Sequence, residues 1–258
     1  MAINLLLKSL KLPTTCVANQ KLPKAFFKRN FELTLSEKKL IDDFSIVQQL
    51  EIVALINHET ANIPAFNDAT TSYEEIVVLA VQTTNEQFDR QHNKIIELIH
   101  KYIPNPIVLM VYDNQKLVLS VAEKRINNND NTKRVIEKIH TTIQIALDNN
   151  TKINIDFLES IAFDKAIKIN LKQFYENYLQ SIIGLQTAQL NGTFAHRPID
   201  RSKQDLLLLE QIELLQQEIT TLQIAAKKET QVAQLVQHNT QIQNNRLKIN
   251  KLTQNLTN

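Results

Sequence analysis

The chain has 258 residues, of which 43% are hydrophobic, and a formal net charge of +2. That length holds one or two compact domains besides any extended helix, and the apolar share is enough for a real core. The near-neutral charge excludes the global field that marks a dedicated nucleic-acid or membrane binder. Met1–Leu7 is apolar, but it is too short for a membrane span and lacks a leading basic cluster. It is expected to be a strand or helix of the folded domain, with a poor signal peptide as the alternative. No other stretch has the length to span a bilayer. Cys16 is the single cysteine, so no disulfide framework exists. Together these features favour a cytoplasmic protein. Glycine occurs only at positions 184 and 192. Loops that cradle phosphates need glycine for tight turns and close backbone approach, so no Walker loop, dinucleotide fingerprint or nucleophile elbow is found.

In chain order, Pro13 and Pro23 bracket a polar connector, Thr14–Lys21. A short helix is expected after Leu33-Thr34-Leu35-Ser36, capped by Ser36 or Thr34 and favoured at its N-terminus by Glu37. Leu40, Ile41 and Phe44 fall on its inner side. Ile46–Ile56 reads as extended, and Thr60-Ala61-Asn62-Ile63-Pro64 as a loop, because the residue before proline avoids helix. Glu75–Thr83 is a continuous apolar run of the kind found in central strands buried on both faces. Asn85–Tyr102 carries Phe88, Ile95, Ile96, Leu98, Ile99 and Tyr102 at helical spacing, and Pro104 and Pro106 stop it. Ile107–Tyr112 and Lys116–Ala122 are strands around the turn signal Asp113-Asn114-Gln115.

Asn127–Asn131 has turn chemistry and is expected to separate this unit from a second one. There, Val135–Leu147 alternates as a strand, while Asp156–Ala162 and Asn170–Leu185 are helical. The fold class is thus α+β. A small mixed-sheet domain occupies residues 1–126, a second α/β unit residues 127–188 and a linker residues 189–203. A coiled-coil helix or helical hairpin follows over residues 204–257.

That last segment is the most informative. Leu208, Ile212, Leu215, Ile219 and Leu222 alternate in steps of four and three, and Val232, Leu235, Ile242, Ile249 and Leu256 continue largely in sevens. Gln, Asn, Glu and Lys fill most of the intervening positions. The second series runs one position earlier than the first predicts. Such a slip marks either a local change in supercoiling or the turn of a hairpin. Arms of about 20–25 residues would each reach roughly 30–40 Å. Their equal length favours a hairpin, whereas the absence of Gly or Pro near Lys227-Lys228-Glu229 favours an unbroken helix, and the unbroken helix is the expectation. The same seam serves a homodimer, an internal hairpin or a partner protein.

Chemistry is sparse by comparison. The histidines at 58, 92, 100, 140, 196 and 238 show no zinc-motif spacing. His92 and His100 lie two turns apart and are expected on an exposed polar face. Asp42, Asp43, Glu51, Glu74, Glu75 and Lys124 are the candidates for a metal-dependent nuclease site. However, the central strand ends Leu79-Ala80-Val81-Gln82-Thr83, without the acid and lysine such a site needs. Glu123-Lys124 is expected on a solvated strand edge. No catalytic residue, cofactor or metal site is assigned. Lys24, Lys28 and Arg29 interleave with Phe26 and Phe27, a pattern able to hold a nucleic-acid backbone and stack bases. The competing reading places the phenylalanines in the core and the lysines in solvent. Lys124, Arg125, Lys133 and Arg134 are expected on a surface loop.

Several stretches resemble a bacterial family, domain of unknown function 4391. Leu22-Pro23-Lys24-Ala25-Phe26 is similar to its early Pro-Lys segment, and Glu59-Thr60-Ala61-Asn62-Ile63-Pro64 to its Glu-Thr-x-Asn-Ile-Pro stretch. Ile103-Pro104-Asn105-Pro106 resembles its Ile-Pro turn, and the tail from Lys227 through Leu252 its polar coiled-coil end. Ala80-Val81-Gln82 stands where that family often carries Glu-x-Lys. The resemblance implies an accessory subunit of a DNA-modification or phage-defence assembly, with a helicase or DNA methyltransferase as partner. The expected function is therefore a non-enzymatic accessory or scaffold subunit that binds partners through its coil. A homo-oligomer, a DNA-binding accessory module and a degenerate nuclease-like domain are the alternatives.

Overall fold

The structure, a computed structural model, describes residues 7–43, 46–146 and 151–256. The expectations for Met1–Leu6, Phe44 and Leu147 fall outside them. The chain divides into two units, Met1–Ile182 and Ile183–Asn258.

In chain order the strands are β1 (Val17–Lys21), β2 (Val47–Asn57), β3 (Phe66–Asn67), β4 (Ser72–Tyr73), β5 (Glu75–Thr83), β6 (Ile107–Tyr112), β7 (Lys116–Asn127), β8 (Asp130–Thr141) and β9 (Ile145–Ala146). The first unit is built on a mixed seven-stranded sheet, in the spatial order β1-β2-β5-β6-β7-β8, with β9 also paired to β7, while β3 and β4 pair with one another. Its centre is β5 (Glu75–Thr83), antiparallel to β2 (Val47–Asn57) and parallel to β6 (Ile107–Tyr112). The parallel step requires a crossover. The helix Asn85–Tyr102 provides it, with the ends its periodicity and Pro104 predict. Residues Ile76 through Val81 of β5 are all buried, as expected of a strand covered on both faces. On one face Val77, Leu79 and Val81 join Leu109, Val111, Ile95 and Ile99 in the main core. Side chains alternate along a strand, so Ile76, Val78 and Ala80 face the other side.

Two short helices close the first face. Taking helices in chain order, α1 is Ala25–Asn30, α2 is Leu35–Asp42, α3 is His58–Ala61 and α4 is Asn85–Tyr102. Thr34 caps α2 in a full capping box: its side chain accepts from the Glu37 N–H, and Glu37 accepts from the Thr34 N–H. The Glu37 carboxylate also takes Lys101 (2.8 Å) and Tyr102 (2.9 Å) from the end of α4. Partial burial pushes this carboxyl up, but the hydrogen bonds from Lys101, Thr34 and Tyr102 outweigh it and hold it at about 2. Leu40 and Ile41 are buried, as expected of the inner side of α2.

The stretch Thr14–Lys21 is not a free connector. Thr14–Cys16 forms a 3-10 turn and β1 (Val17–Lys21) pairs antiparallel with β2. All five β1 residues are exposed, so the strand is held by backbone pairing and leaves no apolar alternation to read. Asn19 sits at φ +47° and breaks the register, which blunts this outer edge against further strands. The Glu59–Pro64 motif likewise becomes defined structure. Asn57 caps the single turn α3 in a capping box with Thr60, and Asn62 ends it in the left-handed region. The Thr60 carbonyl accepts from Thr15 and from the Cys16 thiol. Burial pushes that thiol up, against its hydrogen bonds to Thr60 and Thr15.

The expected domain boundary near residue 126 falls inside a hairpin. β7 (Lys116–Asn127) and β8 (Asp130–Thr141) pair over most of their length, with Arg125 opposite Val135 and Ile126 opposite Arg134. The Asn-rich stretch has turn chemistry because it is the turn of that hairpin, within one sheet. The helices α5 (Lys152–Ser160) and α6 (Leu171–Asn191) follow. Where β6 and β7 part, the Tyr175 hydroxyl of α6 accepts from the Ala122 N–H (2.8 Å) and reaches the Ile107 carbonyl (2.9 Å). One oxygen thus satisfies backbone groups that the diverging strands leave open.

In the second unit both glycines have a steric reason. A Cβ at Gly184 would lie 2.5 Å from the Ala195 carbonyl oxygen, and Gly192, at φ +80°, ends α6. The expected linker over residues 189–203 shrinks, because residues up to Asn191 belong to α6 and those from Ile199 onward to α7 (Ile199–Lys228). The last helix, α8, is Val232–Asn255.

Candidate functional site

Chemistry-bearing side chains of the first unit turn out to hold the fold. Glu51 lies opposite Ala80, whereas Glu75 lies opposite Asn57 and accepts from its amide. Five residues of strand therefore separate the two carboxylates, about 16 Å. Asp42 pairs with Lys28. The nuclease constellation is not brought together. Among the described residues no group of three or more His, Cys, Asp and Glu is placed to hold a metal ion. No helix among them is long and apolar enough to cross a membrane.

Lys124 is not on a solvated edge, and Arg125, Lys133 and Arg134 are not on a loop. All four lie on β7 and β8, and Lys124 is only 8% exposed. Its ammonium donates to the carbonyls of Ile103 (2.6 Å) and Asn105 (3.1 Å). It thereby serves the C-cap carbonyl of α4 at Ile103 and a carbonyl of the turn that follows, at Asn105. Burial, and secondarily the Arg134 charge, brings its pKa down to about 7. His100 is also buried, contrary to the exposed face expected for it, and pairs with Ser120 (3.0 Å). Burial first, and then the charge of Lys124, pushes its pKa well down and keeps the ring neutral. His92 instead lies near the surface, stacked on Phe88 and bonded to the Phe88 carbonyl.

In the basic–aromatic segment, Phe27 is fully buried and belongs to the core, and Phe26 packs against that core. Phe26 and Phe27 meet edge-on, with ring centroids 5.6 Å apart. Lys24 reaches the Asp42 carbonyl and Lys28 the Asp42 carboxylate, while Arg29 is exposed.

The second unit carries the seam. The helix is not unbroken: Glu229–Gln231 leave it, and α7 and α8 fold back on one another as a hairpin. No Gly or Pro is needed, because the Glu229 carboxylate accepts from the N–H groups of Thr230 (2.8 Å) and Gln231 (2.7 Å). A local side-chain acceptor thus competes with helix continuation. Ile212, Ile242 and Leu256 are buried, and Leu208, Leu215, Ile219, Leu222, Leu235 and Ile249 are half-buried. Val232 is the exception at 74% exposed. It opens α8 immediately after the turn and lies off the stripe that the helix actually uses. That stripe runs Leu235, His238, Ile242, Asn245, Ile249, Leu252, Leu256, in strict steps of three and four. His238 and Asn245 escape a count of apolar residues, although Asn245 is only 4% exposed. The unbroken three–four spacing is the signal that finds them.

At the open end, Asp205 is 2% exposed and bonds Arg197 through both oxygens (3.2 and 3.1 Å). Arg201 approaches the same carboxylate at 3.1 Å. The two guanidiniums then donate to the Leu256 (2.8 Å) and Asn255 (2.6 Å) carbonyls. The end of α8 is capped by side chains from α7 and the segment before it.

Two outcomes follow. In the unfolded chain Lys124 titrates near 10.5, and in the fold near 7. Between these values the unfolded state binds more protons, so the Lys124 contribution to stability rises with pH. Urea midpoints of wild type and Lys124→Met should diverge accordingly between about pH 7.5 and 9.5, and a parallel pair of curves contradicts the assignment. Asp205→Ala should destabilise the hairpin by about 3 kcal/mol, the low end for a broken buried pair, because Arg197 and Arg201 keep 18% and 32% exposure. Loss of helical dichroism on heating measures it.

No curated protein and no solved structure matches the chain. A family model does, over residues 10–249, which takes in the core sheet, the Glu59–Pro64 turn and nearly all of the hairpin. The chain belongs to the family described as Domain of unknown function (DUF4391).

Proposed function

We propose that this protein is a non-enzymatic accessory subunit that joins other proteins through the outer surface of its C-terminal hairpin. The observation that carries this reading is the division of apolar residues between two surfaces. The seam closes α7 on α8, yet Leu207, Leu214 and Leu247 remain 59%, 65% and 60% exposed. Single exposed leucines are ordinary, but Leu207 and Leu214 are one heptad apart and so form one stripe. Beside them Leu214, Leu215 and Leu252 line a groove flanked by Gln211, Lys248 and Lys251. Partner contact thus falls to the outside of the hairpin, and the seam residues act by building it. The family resemblance supplies the setting, a DNA-modification or phage-defence assembly, with a helicase or DNA methyltransferase as the protein joined. In the first unit His100 Nε2 is engaged with Ser120, and the Lys124 ammonium with the Ile103 and Asn105 carbonyls.

Capture of the tagged full chain from its host should recover such an enzyme in near-stoichiometric yield. Leu207→Asp combined with Leu214→Asp should abolish the recovery. Capture that survives the double substitution, or that yields the chain alone, contradicts the reading.

A further inference from the structure

We infer that the first partner of the hairpin is a second copy of this chain. The inference rests on the hairpin being the joining element, as proposed above, and adds how it joins: Leu207 and Leu214 pair two copies over the groove, and the paired hairpins together hold the host enzyme, so that losing these leucines loses its capture. The middle of α7 and the length of α8 differ in charge, although the ends of α7 carry both signs. From Leu206 to Ala226, α7 carries Glu210, Glu213 and Glu218 and no base, whereas α8 carries Arg246, Lys248 and Lys251 and no acid. Among the described residues, Glu218, Lys248 and Lys251 form no ion pair within the chain. The groove places Leu214 of α7 beside Lys248 and Lys251 of α8. Glu218 lies one helical turn beyond Leu214, on the same flank as Leu207 and Gln211.

One hairpin surface therefore offers both halves of a contact: leucines with an acid on α7, and an apolar groove with two bases on α8. A two-fold axis brings the α7 of each copy over the α8 of the other, so that the contact is made twice, as an isologous interface requires. Leu207 and Leu214 of one copy then cover the Leu252 groove and the lysine stems of its partner, while Glu218 meets Lys248 and Lys251. Four helices enclose apolar surface that two leave wet. A foreign helix would have to match the acid and the bases at once, whereas a second copy does so by symmetry.

Sedimentation of the purified full chain tests this without any host protein present. Wild type should be dimeric at about 100 μM, well above the Kd of a specific dimer. Glu218→Lys alone, and Lys248→Glu with Lys251→Glu alone, should each dimerise roughly tenfold or more weakly, because like charges now meet. Mixing the two variants should restore a dimer containing one of each, which also shows that both are folded. A monomeric wild type overturns the inference. So does a dimer indifferent to both charge reversals, or one that mixing fails to restore. If the monomer still captures a host enzyme through Leu207 and Leu214, the joining role stands and self-association alone is lost.

Discussion

Closure of the hairpin on its own seam is the constraint from which the functional account follows. A heptad stripe on a single helix must be covered by something, because burying each Leu or Ile contributes about 1.5–3 kcal/mol. Here the chain covers it itself. The Glu229 carboxylate reverses the chain at one end, and the Arg197–Asp205–Arg201 cluster fastens the other. Once the seam is internal, a partner can only use what lies outside it. The leucines that the seam leaves exposed then become the surface of interest.

The first unit shows the complementary case, in which residues with chemical potential are held by structural work. Lys124 serves the C-cap carbonyl of α4 and a carbonyl of the turn that follows, His100 pairs with Ser120, and Tyr175 bridges the point where β6 and β7 part. Each is a buried polar group whose desolvation is offset by a specific partner. The Glu59–Pro64 stretch, which carries much of the family resemblance, has the same character. Its Thr60 carbonyl gathers Thr15 and Cys16, and its Asn62 supplies the left-handed residue that ends the turn.

Much of this architecture is legible in the amino-acid order. β5 and α4 match their expected ends because an apolar run covered on both faces and a 3.6-residue period closed by proline are strong local signals. The site is legible only in part. β1 escapes because a wholly exposed strand has no alternation. Lys124 escapes because its burial depends on the carbonyls of Ile103 and Asn105, about twenty residues away. The chain reversal escapes because a glutamate, not glycine or proline, makes it. His238 and Asn245 hide in the seam because a search for apolar residues passes over polar ones at the right spacing. Val232 misleads for the converse reason, being apolar at a position that the stripe does not use.

The most direct test of the closed hairpin is the distance between spin labels on Gln204→Cys and Gln254→Cys, both exposed positions, with each labelled chain diluted in unlabelled protein. The native Cys16 is 1% exposed and is shielded from the label. Packed helix axes lie about 8–10 Å apart, so a closed hairpin gives a narrow distribution below about 30 Å once label tethers are included. A continuous helix would place the two positions roughly 75 Å apart at 1.5 Å per residue. A closed hairpin gives the short distance, and a population at the long distance contradicts closure.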